Sequence, residues 1–240
     1  MRYQAIQWAQ RILLTISLVA LIGIMVMVAR IVGYAIPGLN SLLPQRVVSA
    51  AFAKKVALIS GHAGSDSGAV CTDSNGNTTI TEAAINATVT ELAAERLRRA
   101  GADVLILQEF DPRLAGLQAS VLLSLHADSC IDASGYKAAH HPLSPLSTSE
   151  DQLVACINHF YPAATGLTEH SNTITHNMTD YHAFRVIDRQ TPAAIMEMGF
   201  LGGDQDLLVN HPEIAAQGIA DSLLCFLQQE SEPNPASSEP

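Results

Sequence analysis

Short apolar runs alternate with longer stretches of helical spacing through the middle of the chain. Residues 56–59, 102–107, 121–125 and 193–196 are brief runs dominated by apolar side chains and bounded by Gly, Pro or polar residues, which predicts buried strands. Between the first two, Ile85, Val89, Leu92, Ala93, Leu97 and Ala100 recur at helical spacing and Gly101 supplies a stop, predicting an amphipathic helix over 82–100. The same period recurs over 150–160 and over 212–227, the latter with Pro212 in its first turn. A short strand is also expected over 183–187. Strands alternating with helices predict an α/β fold: a single domain with a central, mostly parallel sheet flanked by helices.

The pattern breaks at both ends. Residues 12–29 read ILLTISLVALIGIMVMVA without a charge, and eighteen residues at ~1.5 Å each give about 27 Å, close to the hydrocarbon thickness of a bilayer. This predicts one transmembrane helix as an uncleaved anchor. A cleaved signal peptide is the competing reading, but its small-residue site, Ala51-Phe52-Ala53, lies too far beyond the apolar run. The expected organisation is a membrane anchor over 1–37, a stalk over 38–55, a catalytic domain over 56–228 and a disordered acidic Pro/Ser tail over 229–240. No internal repeat is visible.

Composition narrows the partners. A hydrophobic content of 48% in 240 residues is enough for a proper core, and a net charge of −10 argues against nucleic acid, whose backbone demands a basic surface. Arg2 and Arg11 precede the apolar segment while Arg30, Arg46, Lys54 and Lys55 follow it, so the positive-inside rule does not fix orientation. The four cysteines would be free to pair if the domain lies outside the cytoplasm.

In parallel sheets reactive groups collect beyond the C-terminal ends of the strands. The first strand runs into His62, the third into His126 and the fourth into Glu197. A catalytic zinc takes three protein ligands, commonly His and Glu, and leaves one position open. Glu82, opening the helix after the first strand, is the candidate third ligand. It has a structural alternative, because Thr79-Ile80-Thr81-Glu82 matches a capping box in which the glutamate only satisfies a backbone amide.

The segments GHAGSDSGA, TEAAIN, LLSLHADS and AAIMEMGFL, in this order across the domain, resemble the zinc-dependent N-acetylmuramoyl-L-alanine amidases of the amidase-3 family. The resemblance implies one catalytic Zn²⁺ on His62, Glu82 and His126, with Glu197 as the catalytic carboxylate. It implies hydrolysis of the amide between N-acetylmuramic acid and L-alanine, with peptidoglycan as substrate; that function, with the cysteines and the apolar N-terminal segment, predicts a cell-membrane protein whose catalytic domain is extracytoplasmic. Two motifs depart from the family pattern: GHAG stands where two glycines usually follow the histidine, and HAD where HAN is common. The segment DPRLAGLQAS is short and lacks the arginine often found before the third motif. Ala63 and Gly64 are expected to keep bulk away from the open metal position, and Asp128 to accept a hydrogen bond beside the ligands.

Two rival functions are another zinc peptidase, such as a carboxypeptidase acting on wall peptides, and a membrane-tethered wall-binding protein without turnover. His140, His141, His159, His170 and His211 have no carboxylate at a useful place and read as surface or loop residues. His176, Asp180, Tyr181 and His182 form either a binding wall beside the zinc or an ordinary hydrogen-bonded loop. A disulfide Cys71–Cys130 would tie the loops that follow the two histidines, since both leave the same sheet edge. Cys156 and Cys225 are either small buried hydrophobes or a second pair.

Overall fold

The computed structural model describes residues 49–231, together with Trp8, 13–18 and 20–25. Strand β1 (Lys55–Ser60) is an inner strand, second from one edge, of a five-stranded sheet. Its parallel neighbours are β4 (Asp103–Leu107) and β5 (Val121–Asp128). Next to β5 runs β7 (Ala193–Phe200), also parallel, and β6 (Lys137–Ala139) closes the far edge antiparallel to β7. The predicted mostly parallel α/β sheet is therefore present. A separate hairpin of β2 (Val70–Thr72) and β3 (Thr78–Thr81) follows β1.

Strand β1 is apolar without alternation because both of its faces are covered. Val56 and Leu58 face one core with Val89, Leu97, Leu153, Ile219 and Leu223, whereas Ala57 and Ile59 face a second with Leu107, Leu122 and Ile195. The first core is built from α1 (Glu82–Arg99), α2 (Ser147–Thr165) and α4 (Pro212–Ser231). The second is closed by short pieces, among them Met178 of α3 (His176–Thr179), with Tyr181, Ala183, Phe184 and Ile187.

The strand expected over 183–187 is a 3₁₀ turn, His182–Arg185. Neither neighbour of β5 leaves it a place in the sheet, since β1 and β7 occupy both sides, and its apolar residues cover the second core instead. Short apolar runs do not declare which of these roles they take.

Ala51 is buried, and the Ala53 N–H donates to Gly101 O, so the chain is packed on the domain before β1 begins. Most of the stalk 38–55 and of the tail 229–240 lies outside the described residues. So does part of the apolar segment 12–29; its described residues 13–18 and 20–25 are helical and exposed. Among the described residues no helix is long and apolar enough to cross a membrane.

Both candidate cysteine pairs are bonded. Cys71–Cys130 spans a Cα–Cα distance of 5.5 Å and joins the hairpin after β1 to the loop after β5; Cys156–Cys225 spans 6.0 Å and joins α2 to α4. With partners 59 and 69 positions apart in sequence, each bridge stabilises the fold by about 4 kcal/mol on the chain-entropy argument.

Candidate metal centre and active site

His62 sits two residues beyond β1 with φ at 63°, a left-handed conformation that a non-glycine residue adopts only when its surroundings enforce it. Its backbone N–H donates to Glu109 Oε2 at 2.9 Å. Asp66 Oδ1 stands 2.5 Å from His62 Nδ1 and also accepts the Gly68 N–H at 2.7 Å. That amide and the His62 ring hold the Asp66 carboxyl below its usual range. An ionised carboxylate can only accept, so Nδ1 donates to Asp66, and Nε2 lies 3.2 Å from Glu82 Oε2.

Glu82 is the first residue of α1, but it does not cap the helix. Thr81 takes that role, its Oγ1 accepting the Ala84 N–H. The Glu82 carboxylate instead accepts the Ala69 N–H at 3.0 Å and the Ala127 N–H at 3.3 Å, and Asn86 Nδ2 donates to its Oε1 at 3.3 Å. This overturns the capping-box alternative. Burial opposes ionisation of Glu82, yet His126 and the Ala69 amide outweigh it and keep the carboxyl below its usual pKa.

His126 lies on β5 just before a register shift against β7, and the ring is buried. Its Nδ1 is 3.0 Å from Glu82 Oε1 and its Nε2 is 3.4 Å from Glu109 Oε2, the latter an ion pair rather than a well-aligned hydrogen bond. Burial disfavours the imidazolium, but these two carboxylates prevail and push the pKa up to about 10. A metal-free His126 is therefore charged at neutral pH, and a cation taking one of its nitrogens must displace a proton.

His62, Glu82 and His126 thus place one ligand atom each within 4.8 Å of one another, a grouping that could hold a metal ion. Two imidazoles and a carboxylate suit zinc chemically. Gly61 and Gly68, rather than Gly64, clear the space: a Cβ on Gly61 would lie 2.5 Å from the His126 ring, and one on Gly68 2.5 Å from Glu82 Oε2. A Cβ on Gly64 would meet Gln108 instead. No metal-directed role for Gly64 follows.

Glu197 pairs in register with His126 across β5 and β7 and with Lys137 across β6 and β7. The residue keeps partial exposure, but its Oε2 is buried and has no hydrogen-bond partner. Burial pushes its carboxyl up to about 7; Glu82 and Asp128 add to the shift, and His126 and Lys137 oppose it.

Asp128 does not reach the three-residue group. It accepts from the buried Lys137 Nζ at 2.5 Å, and Thr173 O and Oγ1 take the other two donors of that ammonium at 3.0 and 3.1 Å. Among the histidines set aside, His140 does have carboxylates, Glu150 at 3.3 Å and Asp151 at 2.9 Å. Glu150 also accepts the Ala193 N–H at the start of β7, which puts this cluster at the N-terminal end of the strands, away from His126 and Glu197.

Tyr181 and His182 do approach the site, through a residue that the sequence reading passed over. Glu109 Oε1 accepts from Tyr181 Oη at 2.9 Å and from His182 Nε2 at 2.9 Å. Glu109 lies just beyond β4, so the same strand-end rule, applied to that strand, points to it.

A mostly parallel sheet carrying a His–Glu–His group and a partly buried carboxylate at its C-terminal edge is an arrangement suited to metal-assisted hydrolysis. The family model for N-acetylmuramoyl-L-alanine amidase matches residues 56–224, and the chain belongs to this family. Its members are hydrolases that cleave the amide between N-acetylmuramic acid and L-alanine in peptidoglycan, as this protein does, and zinc is a general property of the family.

Solved structures share the fold. The amidase Ami1 from Mycobacterium smegmatis is 14% identical with a TM-score of 0.59, over 75% of this chain and 99% of that one. The amidase from Clostridium difficile 630 is 18% identical with a TM-score of 0.57, over 75% and 99%. The catalytic domain of the amidase CwlV from Bacillus (Paenibacillus) polymyxa var. colistinus is 21% identical with a TM-score of 0.55, over 73% and 98%. No curated protein matches the chain.

Proposed function

We propose that amide hydrolysis here depends on one Zn²⁺ held by His62, Glu82 and His126, with Glu197 as general base and then general acid. The observation that carries this reading is the grouping itself: both imidazoles direct a nitrogen at one buried carboxylate, and Glu197 lies opposite His126 in register. Bound there, zinc would polarise the scissile carbonyl and acidify a water. Glu197 Oε2, without a hydrogen-bond partner, is free to take the proton of that water and pass it to the leaving L-alanine nitrogen. A carboxyl with a pKa near 7 suits both halves of the transfer.

Chelation of the purified full chain is expected to abolish release of stem peptide from purified peptidoglycan, with restoration by added zinc. The products on the glycan should carry a free lactyl carboxylate. Release of a terminal amino acid instead would favour the peptidase reading, and activity in excess chelator would remove the metal from the account.

The domain is also proposed to work outside the cytoplasm, tethered by residues 12–29. Support comes from the uncharged run itself, from the exposure of Leu13, Leu14, Ile16, Leu21 and Ile24, and from two disulfides, which persist in oxidising compartments. Extraction of cell membranes with alkaline carbonate should leave the protein in the pellet; release into the supernatant would contradict the anchor.

A further inference from the structure

We infer that Glu109 is a positioning carboxylate that sets both histidines for metal binding, an inference that rests on the zinc site proposed above. Its Oε2 accepts the His62 backbone N–H at 2.9 Å and lies 3.4 Å from His126 Nε2. One oxygen therefore touches the main chain of one candidate ligand and the ring of the other. The first contact anchors His62 where its φ of 63° is unfavourable, a strained conformation that neighbouring contacts must hold. The Glu109 N–H donates to Ala63 O at 3.1 Å, so the two loops are clasped from both sides.

The second contact fixes the identity of the donor nitrogen on His126. Among the described residues Glu109 is the carboxylate within ion-pair reach of Nε2, whereas Nδ1 faces Glu82 Oε1 at 3.0 Å. A proton kept on Nε2 by Glu109 leaves Nδ1 as the nitrogen for the metal, just as Asp66 keeps the proton on Nδ1 of His62 and leaves Nε2. The two rings would thus offer opposite nitrogens to a metal, each set by its own carboxylate.

Glu109 is itself held. Tyr181 Oη and His182 Nε2 approach its Oε1, and Ser124 Oγ donates to Tyr181 Oη at 3.0 Å. This gives the segment around Tyr181 a function: it fixes Glu109 in place. With Glu109 making four contacts through two oxygens, an amide in its place would set an NH₂ against at least one donor.

The test is zinc affinity of the full chain, measured by competition with a chromophoric chelator, for the wild type, Glu109→Gln and Glu109→Asp. Glu109→Asp keeps the charge but is one methylene too short to span its partners, and serves where the amide variant folds poorly. Both variants are expected to bind zinc about 10- to 100-fold more weakly. In the zinc-loaded wild type, ring-nitrogen NMR should show His126 metallated at Nδ1 and protonated at Nε2. Wild-type affinity in a folded variant, or metal on Nε2 of His126, would overturn the inference. Failure of the wild type itself to bind zinc would instead overturn the metal site on which it rests.

Discussion

Glu197→Gln is expected to lower kcat by about 10²- to 10⁴-fold, the range for losing a general acid–base group, while leaving zinc content at the wild-type level. The amide is isosteric but cannot take a proton from water. The amide gives up no hydrogen bond at Glu197 Oε2, which has none, and removal of a carboxylate forced up to about 7 relieves desolvation that offsets burial of the new NH₂. The sign of the pH effect follows. The folded pKa lies above the unfolded value, so ionisation of Glu197 weakens the fold as pH rises from the usual carboxyl range towards 7, and the variant escapes that loss. In the wild type the acidic limb of kcat/KM is expected to report the same group, and a bound cation to move that limb below 7. Wild-type turnover in the variant, read on purified peptidoglycan, would remove Glu197 from the mechanism.

His126→Ala is the second large effect, and it acts on metal and fold together. The substitution deletes a proposed ligand and strips one partner from each of two buried carboxylates, Glu82 and Glu109. Zinc should be lost and activity with it. Removing one member of a buried ion pair costs about 3–5 kcal/mol, so the thermal midpoint should fall as well. A variant that kept zinc and hydrolysis would show that His126 is not a ligand.

Much of this site was legible from strand ends. His62, His126 and Glu197 each follow or end an apolar run, and the parallel order of β1, β5 and β7 brings them to one edge. Glu82 carried two readings because a glutamate in a helix's first turn serves equally as cap or ligand; only the Thr81 contact with Ala84 separates them. Glu109 was missed although it follows β4 in the same way, because a lone QEFD segment carries no motif. Its role arises from contacts with residues as far as 73 positions away, His182 among them. Lys137 was missed for a related reason. β6 has three residues and no periodicity, so nothing local marked a buried ammonium in register with Glu197. The hairpin of β2 and β3 likewise has no apolar core of its own; Ile80 is its one residue classed as buried.

The most direct test of the account is a crystal of the zinc-loaded full chain measured on both sides of the zinc absorption edge. One anomalous peak is expected, bounded by His62, Glu82 and His126, and it should vanish in His126→Ala. A peak elsewhere, or none at the three-residue group in active protein, would contradict the proposed centre.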